Sequence, residues 1–187
     1  MRHKGTVTIV TKRLLLRRFA REDVRHVFEN WANDAEVTEF LRWQPHGDIS
    51  VTEKVVGDWT ESYADEKFYH WAIVLKKSGE PVGSITAAVA DDDTVHIGYC
   101  IGREWWNRGY MSEALSAVIS FFFREVKAER VESQHHPDNI GSGRVMEKCG
   151  MQFERVVKGG DRSNKGVADA CVHALSAEEY FARERAE

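Results

Sequence analysis

The chain has 187 residues, 42% of them hydrophobic and 30% charged, and 26 Lys and Arg against 30 Asp and Glu leave a formal net charge of −4. That size supports a single domain over residues 1–187 with a core of its own, and the mild acidity supplies no basic field for nucleic acid and favours cationic partners such as amines. No apolar run is long enough for a membrane span, and Met1-Arg-His-Lys-Gly5 is not followed by the apolar stretch of a secretory signal, so a soluble cytoplasmic protein is expected.

Thr6 to Arg18 reads as a first strand interrupted at Thr11-Lys12-Arg13, and residues 21–32 as an amphipathic helix with Val24, Val27, Phe28 and Trp31 on one face. A short helix through Val37, Phe40 and Leu41 precedes an aromatic, polar loop from Arg42 to Asp48. The next helix is capped by Ser50 or Thr52 and buries Val55, Val56, Trp59 and Tyr63. Phe68–Leu75 and Val82–Val89 form a hairpin, Asp91-Asp92-Asp93 a polar turn, and Thr94–Ile101 a strand on which Val95, Ile97, Tyr99 and Ile101 alternate with smaller or polar residues. A helix starting at Ser112 runs to about Val126. Arg130–His136 is a strand parallel to the one at Thr94, by the strand–helix–strand rule. A helix spans Ile140 to Lys148 with Gly150 as its stop, then come a strand Met151–Lys158, a polar loop Gly159–Gly166, a strand Ala168–Leu175 and a terminal helix from Ser176.

The three cysteines, Cys100, Cys149 and Cys171, are an odd, sparse set within apolar segments, which argues against a disulfide framework. No CxxC or HxxxH pair offers a metal site, and His135 and His136, adjacent on a strand, point to opposite faces. The chemistry concentrates between Gly102 and Ser112. There a glycine-containing loop feeds a helix N-terminus whose unpaired N–H groups and dipole suit phosphate, Arg108 adds positive charge, and Gly109 permits a close backbone approach. Neither the GxxxxGK[ST] nor the GxGxxG spacing is present.

The run Ile97-Gly-Tyr-Cys-Ile-Gly-Arg-Glu-Trp-Trp-Asn-Arg-Gly-Tyr-Met-Ser-Glu-Ala114 resembles the acetyl-CoA motif of GCN5-related N-acetyltransferases, in the branch typified by ribosomal-protein N-terminal acetyltransferases. Thr11-Lys-Arg-Leu-Leu-Leu-Arg17 is similar to the opening of that branch. Asn139-Ile-Gly-Ser-Gly-Arg-Val-Met-Glu-Lys-Cys-Gly-Met-Gln-Phe153 resembles the superfamily's Asn-x-x-Ser/Ala helix, with Gly150-Met151 in place of the usual Gly-Phe. The resemblance implies a mixed α/β fold, a mostly antiparallel sheet flanked by helices whose two parallel strands splay around pantetheine. It also implies acetyl-CoA as cosubstrate, no metal, and a homodimer by family habit.

By the same resemblance Cys100, Ile101 and Gly102 bind pantetheine, and Trp106, Asn107, Arg108, Gly109, Tyr110, Met111 and Ser112 cradle the pyrophosphate. Asn139 bonds pantetheine, and Ser142 sits near the thioester sulfur as proton donor or orienting group. Met146 occupies the place where other branches carry a tyrosine. His96 stands where the family often has a glutamate base, with His135 and Glu132 as further base candidates. The helix–loop–helix carrying Trp31, Trp43 and His46 lies beside the acceptor.

The expected activity is direct acetyl transfer from acetyl-CoA to a primary amine, a protein N-terminal α-amino group before a polyamine, amino acid or aminoglycoside. No activated nucleophile for an acyl-enzyme is evident. The competing class is a CoA-binding sensor without turnover; a nucleic-acid module ranks third, since the clusters Lys12–Arg18 and Arg124–Arg130 are short and interleaved with core residues.

Overall fold

The computed structural model describes residues 1–91 and 93–186; Asp92, within the expected Asp91–Asp93 turn, lies outside them. Among the described residues one sheet carries eight strands in the order β1-β2-β3-β4-β5-β6-β8-β7. They are β1 Ile9–Val10, β2 Leu14–Arg17, β3 Tyr69–Leu75, β4 Pro81–Val89, β5 Thr94–Ile101, β6 Arg130–His135, β7 Gln152–Ser163 and β8 Gly166–Ser176. All neighbouring pairs are antiparallel except β5 with β6, which are parallel as the intervening helix requires.

Helices α1 (Val24–Val27), α2 (Ala35–Thr38), α3 (Ile49–Ser62), α4 (Tyr110–Phe121), α5 (Ile140–Lys148) and α6 (Ala177–Glu184) complete the fold. Two cores sandwich the sheet. Leu115, Val118, Ile119 and Phe122 of the α4 segment pack with Leu14, Leu16, Trp71, Ile85 and Ile97. Val27, Trp31 and Val56, from the segment around α1 and from α3, pack with Phe19, Ala72 and Val74 on the opposite side. Strand alternation sends even-numbered residues of β3 to one core and odd-numbered ones to the other. No described helix is long and apolar enough to cross a membrane.

Several boundaries differ from the sequence reading. The first strand is two short ones, because Thr11 turns the chain by bonding Leu14 at both backbone and hydroxyl. Residues 21–32 are a 3₁₀ turn, α1 and a π-helical turn in succession, and α2 stops before Phe40. The cap of α3 is Asp48, whose carboxylate accepts from the Ser50 N–H at 2.8 Å, not Ser50 or Thr52. Helix α4 opens two residues before Ser112, with Gly109 at the cap position in the left-handed region at φ 74°. The expected polar loop 159–166 is instead the far half of a long hairpin. A bulge between Val157 and Asp161 absorbs Gly159 and Gly160, after which pairing resumes at Asp161 with Ala168.

Candidate active site

β5 and β6 pair only at their beginnings, from Thr94 with Arg130 to His96 with Glu132. One step further the Ser133 hydroxyl donates to the Ile97 carbonyl at 2.7 Å, and beyond it the strands part. Gly102 N–H donates to Val82 O at 2.9 Å, so the even-numbered backbone groups of this end of β5 are directed at β4. Alternation therefore turns the amides and carbonyls of Tyr99 and Ile101 toward the gap. Cys100 and Gly102 are thus not the backbone ligands of that gap. Gly102 is buried for packing, since a Cβ there would lie 2.3 Å from Asn30 O and 2.7 Å from the Trp105 ring.

The gap opens into a cleft of about 570 Å³. Its walls include Tyr99, Cys100, Ile101, Trp106, Asn107, Gly109, Tyr110, Met111 and Ser112 on one side and Asn139, Ser142, Arg144 and Lys148 on the other. Asn107 and Gly109 both have positive φ, 58° and 74°. The first internal bond of α4 runs from Glu113 N to Gly109 O, leaving the N–H groups of Tyr110, Met111 and Ser112 ahead of it without intrahelical partners. Backbone donors at a helix start, with Arg144 and Lys148 opposite, suit a polyanion. Arg108 and Gly102 are absent from the lining, and Met146 is fully buried beneath α5 in the core.

The opening segment of the chain braces this loop. Glu113 of α4 accepts from the Thr11 hydroxyl at 2.6 Å and from the Arg13 N–H and Nε at 2.7 and 2.6 Å. Arg13 also donates to Arg108 O at 2.9 Å and lies over the Tyr110 ring. Burial opposes ionisation of Glu113, but these bonds hold its carboxyl below the ordinary range.

Helix α5 is capped by Asn139, whose side-chain oxygen accepts from Ser142 N–H at 3.2 Å. The Ser142 hydroxyl donates to the Tyr99 hydroxyl at 3.0 Å, and the Tyr99 hydroxyl donates to Ser142 O at 2.9 Å. Burial pushes the Tyr99 phenol well above its ordinary value. Burial likewise raises the Cys100 thiol, with Ser84 partly opposing, which keeps it protonated and unsuited to acyl-enzyme formation.

The base candidates do not converge on the cleft. His135 lies on the α5 side, its Nδ1 donating to His136 O at 2.8 Å and its Nε2 packed against Gly143. His96 lies on the opposite face, where the strands are still paired; burial lowers its pKa, with Glu132 partly opposing. Glu132 is tied to Arg130 and Arg155, at 2.9 and 3.2 Å. Trp31 is 1% exposed and belongs to the second core, not to the acceptor side of the cleft. Trp43 and His46 pack against each other at 5.2 Å, with His46 Nδ1 held by the Thr52 hydroxyl, and neither lines the cleft.

One group missed in the sequence occupies that face. Pairing of β7 with β8, β8 with β6 and β6 with β5 puts Asp161, Val172, Gln134 and His96 on one side of the sheet. Asp161 is 6% exposed, its Oδ2 is buried without a partner, and like His96 it is absent from the cleft lining, so it faces the cleft's far side across the sheet. The signal was masked because Gly159-Gly160-Asp161 reads as a turn.

The hairpin tip closes over this face. Asn164 N–H donates to Leu41 O at 3.1 Å, and its side-chain amide donates to Thr38 O and Trp43 O and accepts from Gln44 Nε2 at 2.6 Å. Lys165 bridges Glu39 and Asp138 at 3.3 and 3.7 Å.

A family model described as an acetyltransferase (GNAT) domain matches residues 13–152. The uncharacterized N-acetyltransferase p20 of Bacillus licheniformis is 25% identical over 175 residues, covering 92% of this chain and 98% of that protein. The [Ribosomal protein uS5]-alanine N-acetyltransferase of Escherichia coli is 25% identical, with 81% of each chain covered. The crystal structure of a GNAT-family acetyltransferase from Bacillus anthracis superposes with a TM-score of 0.82 at 28% identity, covering 92% of this chain and all of that one.

Proposed function

The chain belongs to the acetyltransferase (GNAT) family and is an acetyl-CoA-dependent N-acetyltransferase, and we propose that its acceptor is the α-amino group at the end of a polypeptide. The observation that carries this reading is the Asn164 clasp at the tip of the hairpin whose β7 strand carries Asp161. The Asn164 clasp joins the β7–β8 hairpin to the Thr38–Gln44 segment, so an acceptor enters end-on, and a chain terminus fits such an entry better than a side chain on a folded surface. The similarity to a ribosomal-protein alanine N-acetyltransferase supports the same choice.

In this reading acetyl-CoA supplies an acetyl group activated as a thioester. The N–H groups of Asn107 to Ser112, with Arg144 and Lys148, hold its phosphates, and Asn139, the Tyr99 backbone and the Ile101 N–H hold the pantetheine, the Ile101 carbonyl being taken by the Trp106 indole N–H at 2.7 Å. The Tyr99 amide, turned into the gap, polarises the thioester carbonyl. Asp161 receives the acceptor as an ammonium group and takes its proton, freeing the nitrogen lone pair for attack. Ser142 serves the departing sulfur. No residue is acylated, consistent with the protonated Cys100 thiol.

The test is release of free CoA thiol with a panel of N-terminal peptides and polyamines, using the wild-type chain and Asp161→Asn. Turnover on peptides, lowered about 100-fold in Asp161→Asn with acetyl-CoA binding retained, is expected. Turnover on polyamines alone would move the acceptor to small amines. Full activity of Asp161→Asn would remove Asp161 from the chemistry.

A further inference from the structure

Tyr99 and Ser142 stand on opposite walls of the cleft, one on β5 just past the point where it leaves β6 and the other in the first turn of α5. Their bond pattern is forced. A carbonyl has no proton to give, so the bond between the phenol and Ser142 O uses the phenolic proton, and the Ser142 hydroxyl must be the donor in the second bond. In this arrangement the Ser142 proton faces the wall and its lone pairs face the cleft. The same phenolic proton lies within reach of two acceptors on one residue, Ser142 O at 2.9 Å and Ser142 Oγ at 3.0 Å.

A neutral thioester sulfur is a poor hydrogen-bond acceptor, and the hydroxyl has no reason to leave Tyr99 for it. A thiolate is a strong acceptor. We propose that Tyr99 is a positioning residue in a two-hydroxyl relay: as the sulfur becomes anionic, the Ser142 proton turns to it and the phenolic proton swings from Ser142 O to Ser142 Oγ. Two hydroxyls rotate and neither loses its proton. The C–S electron pair leaves with the sulfur; the proton that Asp161 took from the acceptor is released to solvent, and the proton that finally neutralises the sulfur comes from the ammonium formed on attack, by way of solvent. The raised phenol is consistent with this, because a group that stays protonated donates but does not ionise. The relay keeps two bonds throughout but exchanges two neutral ones for a charge-assisted bond to the sulfur and a bond that supports its donor, so its gain appears only as charge develops. This inference rests on the reading that places the thioester sulfur beside Ser142.

The experiment uses the intact protein and two readouts. The first titrates the thiol of bound CoA by its ultraviolet thiolate absorbance in wild type, Tyr99→Phe, Ser142→Ala and the double variant. The thiol pKa is expected to be lowest in wild type, intermediate in Tyr99→Phe, and highest and equal in Ser142→Ala and the double variant. The second is steady-state acetyl transfer: Tyr99→Phe lowers kcat about fivefold with KM for acetyl-CoA unchanged, and adds nothing in the Ser142→Ala background. Equal thiol pKa values in wild type and Tyr99→Phe, or independent, multiplying losses in kcat, would overturn the relay while leaving the transferase reading intact. Failure of CoA to bind at all would overturn both. Matching thermal midpoints separate these effects from misfolding, and Tyr99→Phe keeps the ring that fills the wall.

Discussion

Trp31 and Asp161 show how a residue's neighbours in the fold override its neighbours in the chain. Trp31 precedes an aromatic loop and reads as an acceptor-side residue, yet its indole is 1% exposed and packs 6.3 Å from the Phe19 ring. Trp31→Ala is expected to cost about 3–5 kcal/mol of stability, measured by urea unfolding. An acceptor-binding Trp31 would instead change KM and leave the urea midpoint in place. Asp161 is the reverse case, a polar residue in an apparent turn that pairing carries onto a buried face. The loop from Trp106 to Ser112 was legible from its residue types because backbone N–H groups at a helix start need no distant partner to be useful. Base candidates were not, since reach across a sheet is set by register. His96 and His135 fall on opposite faces although both lie on the two strands that split.

At the level of elements, the strands and helices with apolar periodicity were readable, and the ends were readable only where a cap acts locally. Ser176 caps α6 through reciprocal bonds with Glu179, a pattern spaced three residues apart. Helix α4 begins instead at a left-handed Gly109 that no side chain caps. The β7–β8 hairpin is the element whose role depends most on contacts distant in sequence. Asn164 spends its whole side-chain amide on Thr38, Trp43 and Gln44, more than 110 positions earlier in the chain. Asn164→Ala removes three of those bonds and keeps the backbone one. The acceptor KM is then expected to rise about tenfold in steady-state kinetics, with the acetyl-CoA dissociation constant unchanged by calorimetry. A parallel loss of acetyl-CoA binding would show that the clasp holds the whole cleft and not only its acceptor side.

For the whole molecule, the second core contains a histidine that cannot charge without cost. His70 is buried among Phe19, Trp59 and Phe68, its Nε2 has no partner, and burial pushes its pKa down to about 3. Between pH 6.5 and 3 the unfolded chain binds a proton there that the native chain refuses. The native state therefore has its full stability above pH 6.5 and loses it as the pH falls, by about 2 kcal/mol from this residue at pH 5. Urea midpoints of wild type against His70→Phe at pH 7.5 and 5 check this; the variant is expected to show the smaller drop. Apolar periodicity and turn residues sufficed for most strands and helices and for the loop at the start of α4, because each is encoded by residues within about twenty positions of one another, and the family resemblance supplied the mixed sheet. Only the tertiary structure decided which side chains share the cleft. The split of β5 from β6, the Tyr99–Ser142 pair, the unpaired Asp161 and the Asn164 clasp each join segments distant in the chain, and sheet register, which no local pattern encodes, sets the face on which every one of them lands.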